Sequence, residues 1–285
     1  MPNSGTGGSE GDSSTDEKLR KSLKPDPSAE QVIEAILETY QQDAKIVKEL
    51  ESYDDRNYLI EMGSSKYLCK VYNGVESAQY AKCSAEESSG SDPKLLSPIH
   101  LYSLIWNHLN QPRYSIKTSS PLPIPGRTIE PHVSMHSLPV TSKEHTPSRL
   151  CLQLLEWVEG STMASCHAIP IETLVDAGQY LGKVCIALDD LTSNNPTAKL
   201  TADRYHAWDG KNTLDIQDFV ECIDNEERRA LVQSVLNSFK RDLIANPNKP
   251  NFRMGILQGD FNDANIILSD GKVSGVIDFG DTTLR

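Results

Sequence analysis

Residues 255–281 read GILQGDFNDANIILSDGKVSGVIDFGD, and this stretch decides the fold. Two short apolar runs, 265–268 and 273–277, flank Ser269-Asp270-Gly271-Lys272, a turn signature that folds them into a β-hairpin. A turn centred on Asp270 and Gly271 places Asn265 roughly opposite Val276, with Asp278 one register step beyond. An amide oxygen and a carboxylate then converge at the open end of the hairpin. Such hard oxygen ligands suit Mg²⁺, which takes one or two protein ligands together with substrate phosphates and water. Asp260 lies in the loop leading into the hairpin, where a carboxylate can orient a substrate hydroxyl and accept its proton. Asp and Asn are also ordinary turn formers. Their joint occurrence at D-x-x-x-x-N and D-F-G spacing favours phosphoryl-transfer chemistry over that bland reading.

Upstream of this hairpin the periodicity is helical. Leu174, Ala177, Leu181, Val184, Cys185 and Leu188 form one stripe, and Phe219, Leu231, Val235, Phe239 and Leu243 belong to one or two further helices. The first half is mostly of β type. Short strands are expected over 46–50, 57–62 and 67–72, separated by the polar turns ESYDDR and GSSK, and a buried strand over 150–158. A further strand candidate covers 128–133. Ser28 with Gln31 makes a capping-box pattern ahead of Ile33, Ile36, Leu37 and Tyr40, a first helix. Leu101, Leu104, Ile105 and Leu109 make another helical face. The Ser-rich stretch near 83–98 reads as a loop insertion. Residues 1–27 are Gly, Ser and charge, too polar to offset their ordering entropy, and read as a disordered tail.

Composition excludes several classes. Of 285 residues, 38% are hydrophobic and 24% charged, which is neither disordered nor coiled coil in bulk. No apolar run approaches the roughly 18 to 20 residues that span a bilayer. The net charge of -12 repels nucleic acid rather than releasing its counterions. Cys69, Cys83, Cys151, Cys166, Cys185 and Cys222 show no C-x-x-C pair and no zinc spacing, so they read as free thiols of a reducing compartment. With no secretory or transit pattern at the start, a cytoplasmic protein is expected.

GDFNDANIIL followed by GVIDFGD resembles the aminoglycoside phosphotransferase and choline kinase family of the protein-kinase-like fold, and within it the hydroxylysine kinase branch. ELESYDDRNYLIE, YLCKVYN, LCLQLLEWVEG and YHAWDGKNTLDIQDFV extend the resemblance over most of 28–281. The resemblance implies an α+β, two-lobed fold: an antiparallel-sheet N-lobe over 28–156 and a helical C-lobe over 157–285 that reads as incomplete, ending soon after the Asp-Phe-Gly segment. It implies Asp260 as catalytic base, Asn265 and Asp278 as Mg²⁺ ligands, and Lys70 as the lysine that pairs with the nucleotide phosphates. The glycine-free loop 52–57 takes the place of the phosphate loop, with Ser52 and Asn57 as candidate donors to phosphate. The backbone at Glu156, Trp157 and Val158 is expected to meet the base, and Gly160 to let the chain turn. Trp208 and Asp209 fall near the expected acceptor site.

By the same resemblance the reaction is transfer of the γ-phosphate of GTP, or ATP, to the 5-hydroxyl of hydroxy-L-lysine. Choline, homoserine or an aminoglycoside are alternative acceptors, and a non-catalytic isoform that only binds nucleotide or a partner is a third reading. Two positions depart from the pattern. Gln258 stands where the family usually has His, so weaker support for the Asp278 segment is expected. No glutamate is evident as the partner of Lys70: His100 occupies the aligned position, and Glu86 and Glu87 lie in the insertion.

Overall fold

The computed structural model describes residues 13–88, 96–126, 132–142, 149–206, 209–248 and 252–285. The chain divides into two compact units, one within Met1–Ser103 and Ser119–Trp157, the other within Leu104–Thr118 and Val158–Arg285.

In the first unit, α1 (Ser13–Ser22) and α2 (Ala29–Tyr40) precede strands β1 (Lys45–Leu50), β2 (Arg56–Met62) and β3 (Ser65–Val71), then α3 (Gly74–Ser88), the first half of α4 (Pro98–Leu109), whose residues from Leu104 on belong to the second unit, and β4 (Ser134–His136) and β5 (Leu150–Glu156). The strands form one antiparallel sheet in the order β1-β2-β3-β5-β4. Alternation decides its faces. Tyr58, Ile60, Met62, Cys69, Val71, Leu150, Leu152 and Leu154 pack with Val32, Ala35, Ile36 and Tyr40 of α2 in one core. Ser28 caps α2 in the expected box with Gln31. The opposite face carries, in cross-strand line, Asn57, Lys70 and Gln153.

Two expectations are corrected in this unit. The tail expected to be disordered contains helix α1 from Ser13, which is tied down through Arg20; residues 1–12 lie outside the described part. The stretch read as a loop insertion starts as helix, since α3 runs to Ser88. Its inward residues include Glu76 and Ser77 beside Tyr80, so no apolar stripe announces it. Ser77 Oγ accepts from Cys151 N at 2.9 Å and donates to the backbone oxygen of Tyr72 at 3.3 Å. The strand expected over 128–133 falls largely outside the described residues, and β4 begins just after it.

The second unit contains β6 (Ser161–Thr162), a 3₁₀ turn (Met163–Ser165), α5 (Ile171–Asn194), α6 (Pro196–Ala202), a 3₁₀ segment (Gly210–Cys222), α7 (Glu226–Phe239), a π turn (Lys240–Ile244), β7 (Ile256–Leu257), β8 (Ile266–Ser269), β9 (Lys272–Val276) and β10 (Thr283–Leu284). α5 buries Ala177, Tyr180, Val184, Leu188 and Leu191 and leaves Ile171, Leu174, Val175 and Ile186 exposed. The second helical stripe is largely not a buried face: Phe219, Leu231 and Val235 are exposed, while Val220 and Leu236 are buried. Gly160, at φ +135, brings the chain against β8 so closely that an added Cβ would lie 2.4 Å from the Leu268 oxygen.

No helix among the described residues is long and apolar enough to cross a membrane.

Candidate active site

The hairpin forms as its turn chemistry dictates. Asp270 and Gly271 both have positive φ, the requirement of the two-residue turn that matches strand twist. Near the turn Leu268 pairs with Val273 and Ser269 with Lys272. A bulge follows at Ser274, whose Oγ donates to the backbone oxygens of Glu159 at 3.0 Å and Ile267 at 3.2 Å. Beyond the bulge the register slips by one residue, so Ile266, not Asn265, opposes Val276. Asn265 meets Ile277 instead, accepting from its N–H at 3.0 Å. Asn265 and the Asp278 segment still sit together at the open end.

Hydrogen bonds hold the carboxylate of Asp260 in place. Asn265 Nδ2 donates to Asp260 Oδ2 at 2.8 Å and to its backbone oxygen at 3.0 Å, and Asn262 Nδ2 donates to Asp260 Oδ1 at 2.7 Å. Asn262 Oδ1 accepts from the N–H groups of Ala264 and Asn265 at 2.9 and 3.2 Å, an Asx turn that fixes the loop. Both side-chain bonds of Asn265 run through Nδ2, which leaves Oδ1 as the atom that can face a cation. Asp278 is exposed, has φ +57, and accepts from Gly280 N at 3.0 Å.

Gln258 is buried between these two segments, its Nε2 donating to the Asp278 backbone oxygen at 2.6 Å and its Oε1 accepting from Asp260 N at 2.7 Å. An amide both donates and accepts, so Gln258 ties the two segments together. Asp281 completes the acidic group. Its burial, and then the charges of Asp278 and Asp260, push its carboxyl above the usual range. His206 Nε2 stands 3.3 Å from Asp281 Oδ1, and Arg204 Nη2 donates to the Gly280 oxygen at 2.9 Å. Asp281, Asn262 and His206 adjoin these residues, a placement that spacing alone did not single out. The crowding of Asp260, Asp278 and Asp281 is the electrostatic setting a divalent cation relieves, and Asp278 with the Asn265 oxygen fits the hard-ligand set of Mg²⁺. Among the described residues no group of three or more His, Cys, Asp or Glu is arranged to hold a metal by itself.

In the first unit, Lys70 Nζ forms an ion pair with Asp55 Oδ2 at 2.6 Å and lies 5.3 Å from the centre of the Tyr72 ring. Asp55 is buried, and its other oxygen accepts from Asn73 N at 2.7 Å. His100, aligned with the expected glutamate, is buried against Tyr80 with ring centres 4.8 Å apart, and its Nδ1 lies 2.7 Å from Ser97 Oγ. Burial pushes its imidazole down to about 4, so it is neutral at pH 7. The β1–β2 loop thus supplies a carboxylate to Lys70.

Asn57 pairs across the strands with Lys70, and its Oδ1 is buried without a hydrogen-bond partner. Ser52 is half-buried in the loop, its backbone oxygen accepting from Lys24 Nζ at 2.8 Å. Glu156 ends β5 and donates its N–H to Ser120 at 2.8 Å; Trp157 is half-buried and Val158 buried. Trp208 lies outside the described residues. The Asp209 side chain is fully buried as the cap of the 3₁₀ segment, accepting from Lys211 N at 3.0 Å and pairing with Arg285 Nε at 3.1 Å and Lys211 Nζ at 3.4 Å.

A five-stranded antiparallel sheet with its strand lysine, and a hairpin carrying an Asp, an Asn and an Asp-Phe-Gly, together define a protein-kinase-like architecture of α+β class. The chain belongs to the phosphotransferase enzyme family, whose model matches residues 129–285. It is similar to hydroxylysine kinase of Danio rerio, 26% identical over 92% of this chain and 67% of the relative. It is also similar to hydroxylysine kinase of Xenopus laevis, 24% identical over 90% of this chain and 66% of the relative. The chain thus spans about two thirds of the length of these curated relatives. Its fold is that of spectinomycin phosphotransferase APH(9)-Ia, solved with ADP and spectinomycin, at a TM-score of 0.55 and 13% identity over 90% of this chain and 70% of that one.

Proposed function

We propose that the protein is a small-molecule kinase that transfers the γ-phosphate of GTP or ATP to the 5-hydroxyl of hydroxy-L-lysine. The observation that carries this is the double hold on Asp260 by Asn262 and Asn265, which aims one carboxylate for a hydroxyl proton. In this reading residues 28–156 serve as the donor-holding lobe and 157–285 as the catalytic lobe. Lys70, Asn57 and Ser52 hold the donor phosphates, and the 156–158 backbone takes the base. Lys70 is then shared between phosphate and Asp55. Asn265 and Asp278 would hold Mg²⁺, which when bound neutralises the charge developing on the transferred group. Six free cysteines suit a reducing compartment, and we place the activity in the cytoplasm.

Similarity to two hydroxylysine kinases supports this acceptor, and the ADP held by the spectinomycin phosphotransferase supports a nucleotide donor. Phosphate transfer should be assayed from Mg-GTP and Mg-ATP to hydroxylysine, choline, homoserine and an aminoglycoside. Transfer to hydroxylysine that falls about 100-fold or more in Asp260→Asn supports the reading. Transfer to another amine and none to hydroxylysine overturns the acceptor. Stabilisation by nucleotide with no turnover on any acceptor selects the binding-only alternative instead.

A further inference from the structure

The β1–β2 loop contains no glycine and is gripped by a segment that lies before α2. Lys24 Nζ donates to the backbone oxygens of Ser52 at 2.8 Å and Tyr53 at 2.9 Å. Arg20 Nε meets Asp54 Oδ2 at 2.7 Å, and its Nη2 meets Glu76 Oε1 at 2.5 Å at the start of α3. Asn73 Nδ2 joins the two sides, donating to the oxygens of Arg20 at 2.7 Å and Asp54 at 3.0 Å. Arg56, at the far end of the loop, donates through Nε to Pro25 O at 3.0 Å and through Nη2 to Asp26 Oδ1 at 2.9 Å. Lys21 Nζ lies 6.0 Å from the centre of the Tyr53 ring.

Three successive carbonyls, those of Ser52, Tyr53 and Asp54, are thus fixed by groups outside the loop. A loop held this way has little conformational entropy left to lose when a ligand settles on it. Arg20 also offsets the charges of Asp54 and Glu76, the neighbours of Asp55, which itself pairs with Lys70. Desolvation lifts the carboxyls of both Asp54 and Glu76, so without a cation beside them this buried acidic group would favour protonation or displacement of the loop.

We propose that residues 20–26 are a brace that holds the β1–β2 loop in its donor-binding form, with Arg20 as a positioning residue for the nucleotide. This rests on the reading of Lys70 and Asn57 as donor-binding groups. Arg20 does not touch the donor and acts through Asp54 and Glu76.

The test uses the full chain with Arg20→Gln and, independently, Lys24→Met, which removes the two carbonyl contacts without disturbing the buried acids. Amide hydrogen exchange is expected to rise about tenfold or more over residues 51–56 while α2 and β5 keep their protection. The Kd for Mg-GTP or Mg-ATP is expected to rise roughly five- to tenfold, with the acceptor KM within about twofold of the parent. Arg20→Lys should recover part of the donor affinity but not all, since a lysine cannot make the forked contact to two carboxylates. Unchanged exchange in the loop of both variants overturns the brace, as does an equal loss of donor affinity, acceptor affinity and Tm. If the parent binds neither nucleotide, the kinase reading and the positioning role fall together, while the exchange result still decides whether the segment holds the loop.

Discussion

Gln258 and Asp278 are joined by a hydrogen bond of 2.6 Å from the buried amide Nε2 to the backbone oxygen, and the same amide receives the N–H of Asp260 at 2.7 Å. One side chain therefore sets the spacing of the proposed base and the proposed metal ligand. Gln258→Glu keeps the acceptor for Asp260 but replaces the donor toward Asp278 with an oxygen, putting two acceptors face to face. We expect kcat to fall about 100-fold, the scale of a small misplacement of reacting groups. Gln258→His, which can still donate, should lose much less. Steady-state kinetics on both variants, with donor KM measured separately, check this; equal behaviour of the two would sink it.

Gly259 sits beside that amide at φ +87, and a Cβ there would lie 2.2 Å from the backbone oxygen of Asp281. That oxygen and its carbonyl carbon are backbone and cannot step aside as a flexible side chain can. Gly259→Ala should cost of order 3 kcal/mol or more, combining backbone strain with displacement of the 278–281 segment. Gly63→Ala is the matched control, because its φ is +59 with nothing within 4 Å, and should cost only about 1 to 2 kcal/mol. Chemical denaturation of both variants measures the difference.

Local signals carried much of this architecture. The Ser28 and Gln31 box, three early strands within a residue or two of their expected bounds, and the Asp270-Gly271 turn all rest on chemistry confined to a few neighbouring residues. What was not legible depends on partners distant in sequence. α1 is a polar helix held through Arg20 by Asp54 and Glu76, and no hydrophobic period marks it. The bulge at Ser274 follows from a hydroxyl bonded to Glu159, more than a hundred residues away, so the simple hairpin register fails one pair early. Asp55, fifteen residues from Lys70 in sequence, meets it only because β2 and β3 pair, which no local pattern announces.

His100 gives the N-terminal unit a dependence on acid. Its burial lowers the folded value from 6.5 to about 4, so the unfolded chain binds the extra proton first. Stability is therefore full above about pH 6.5 and is lost as pH falls through that window toward 4, by about 2 to 3 kcal/mol. His100→Asn should be less stable at pH 7, having lost the Tyr80 stacking, yet show a flatter decline between pH 6.5 and 4. Thermal unfolding of both proteins across that range decides it, and parallel slopes would refute the assignment.

Asp55 and Lys70 make the remaining prediction, one of opposite sign to the usual loss on mutating a buried acid. In the proposed reaction the donor phosphates and the Asp55 carboxylate compete for one ammonium group held at 2.6 Å. Asp55→Asn keeps an oxygen able to accept from Asn73 N, which the native carboxylate does at 2.7 Å, while removing the competing charge. Donor KM should therefore fall several-fold, with Tm lower because the ion pair is half-dismantled. Lys70→Met should raise donor KM by about tenfold or more, since the phosphates lose their cation altogether. A rise in donor KM for both variants would mean that Asp55 organises the site for phosphate and does not compete with it. Nucleotide titration of the two proteins at constant ionic strength separates these outcomes.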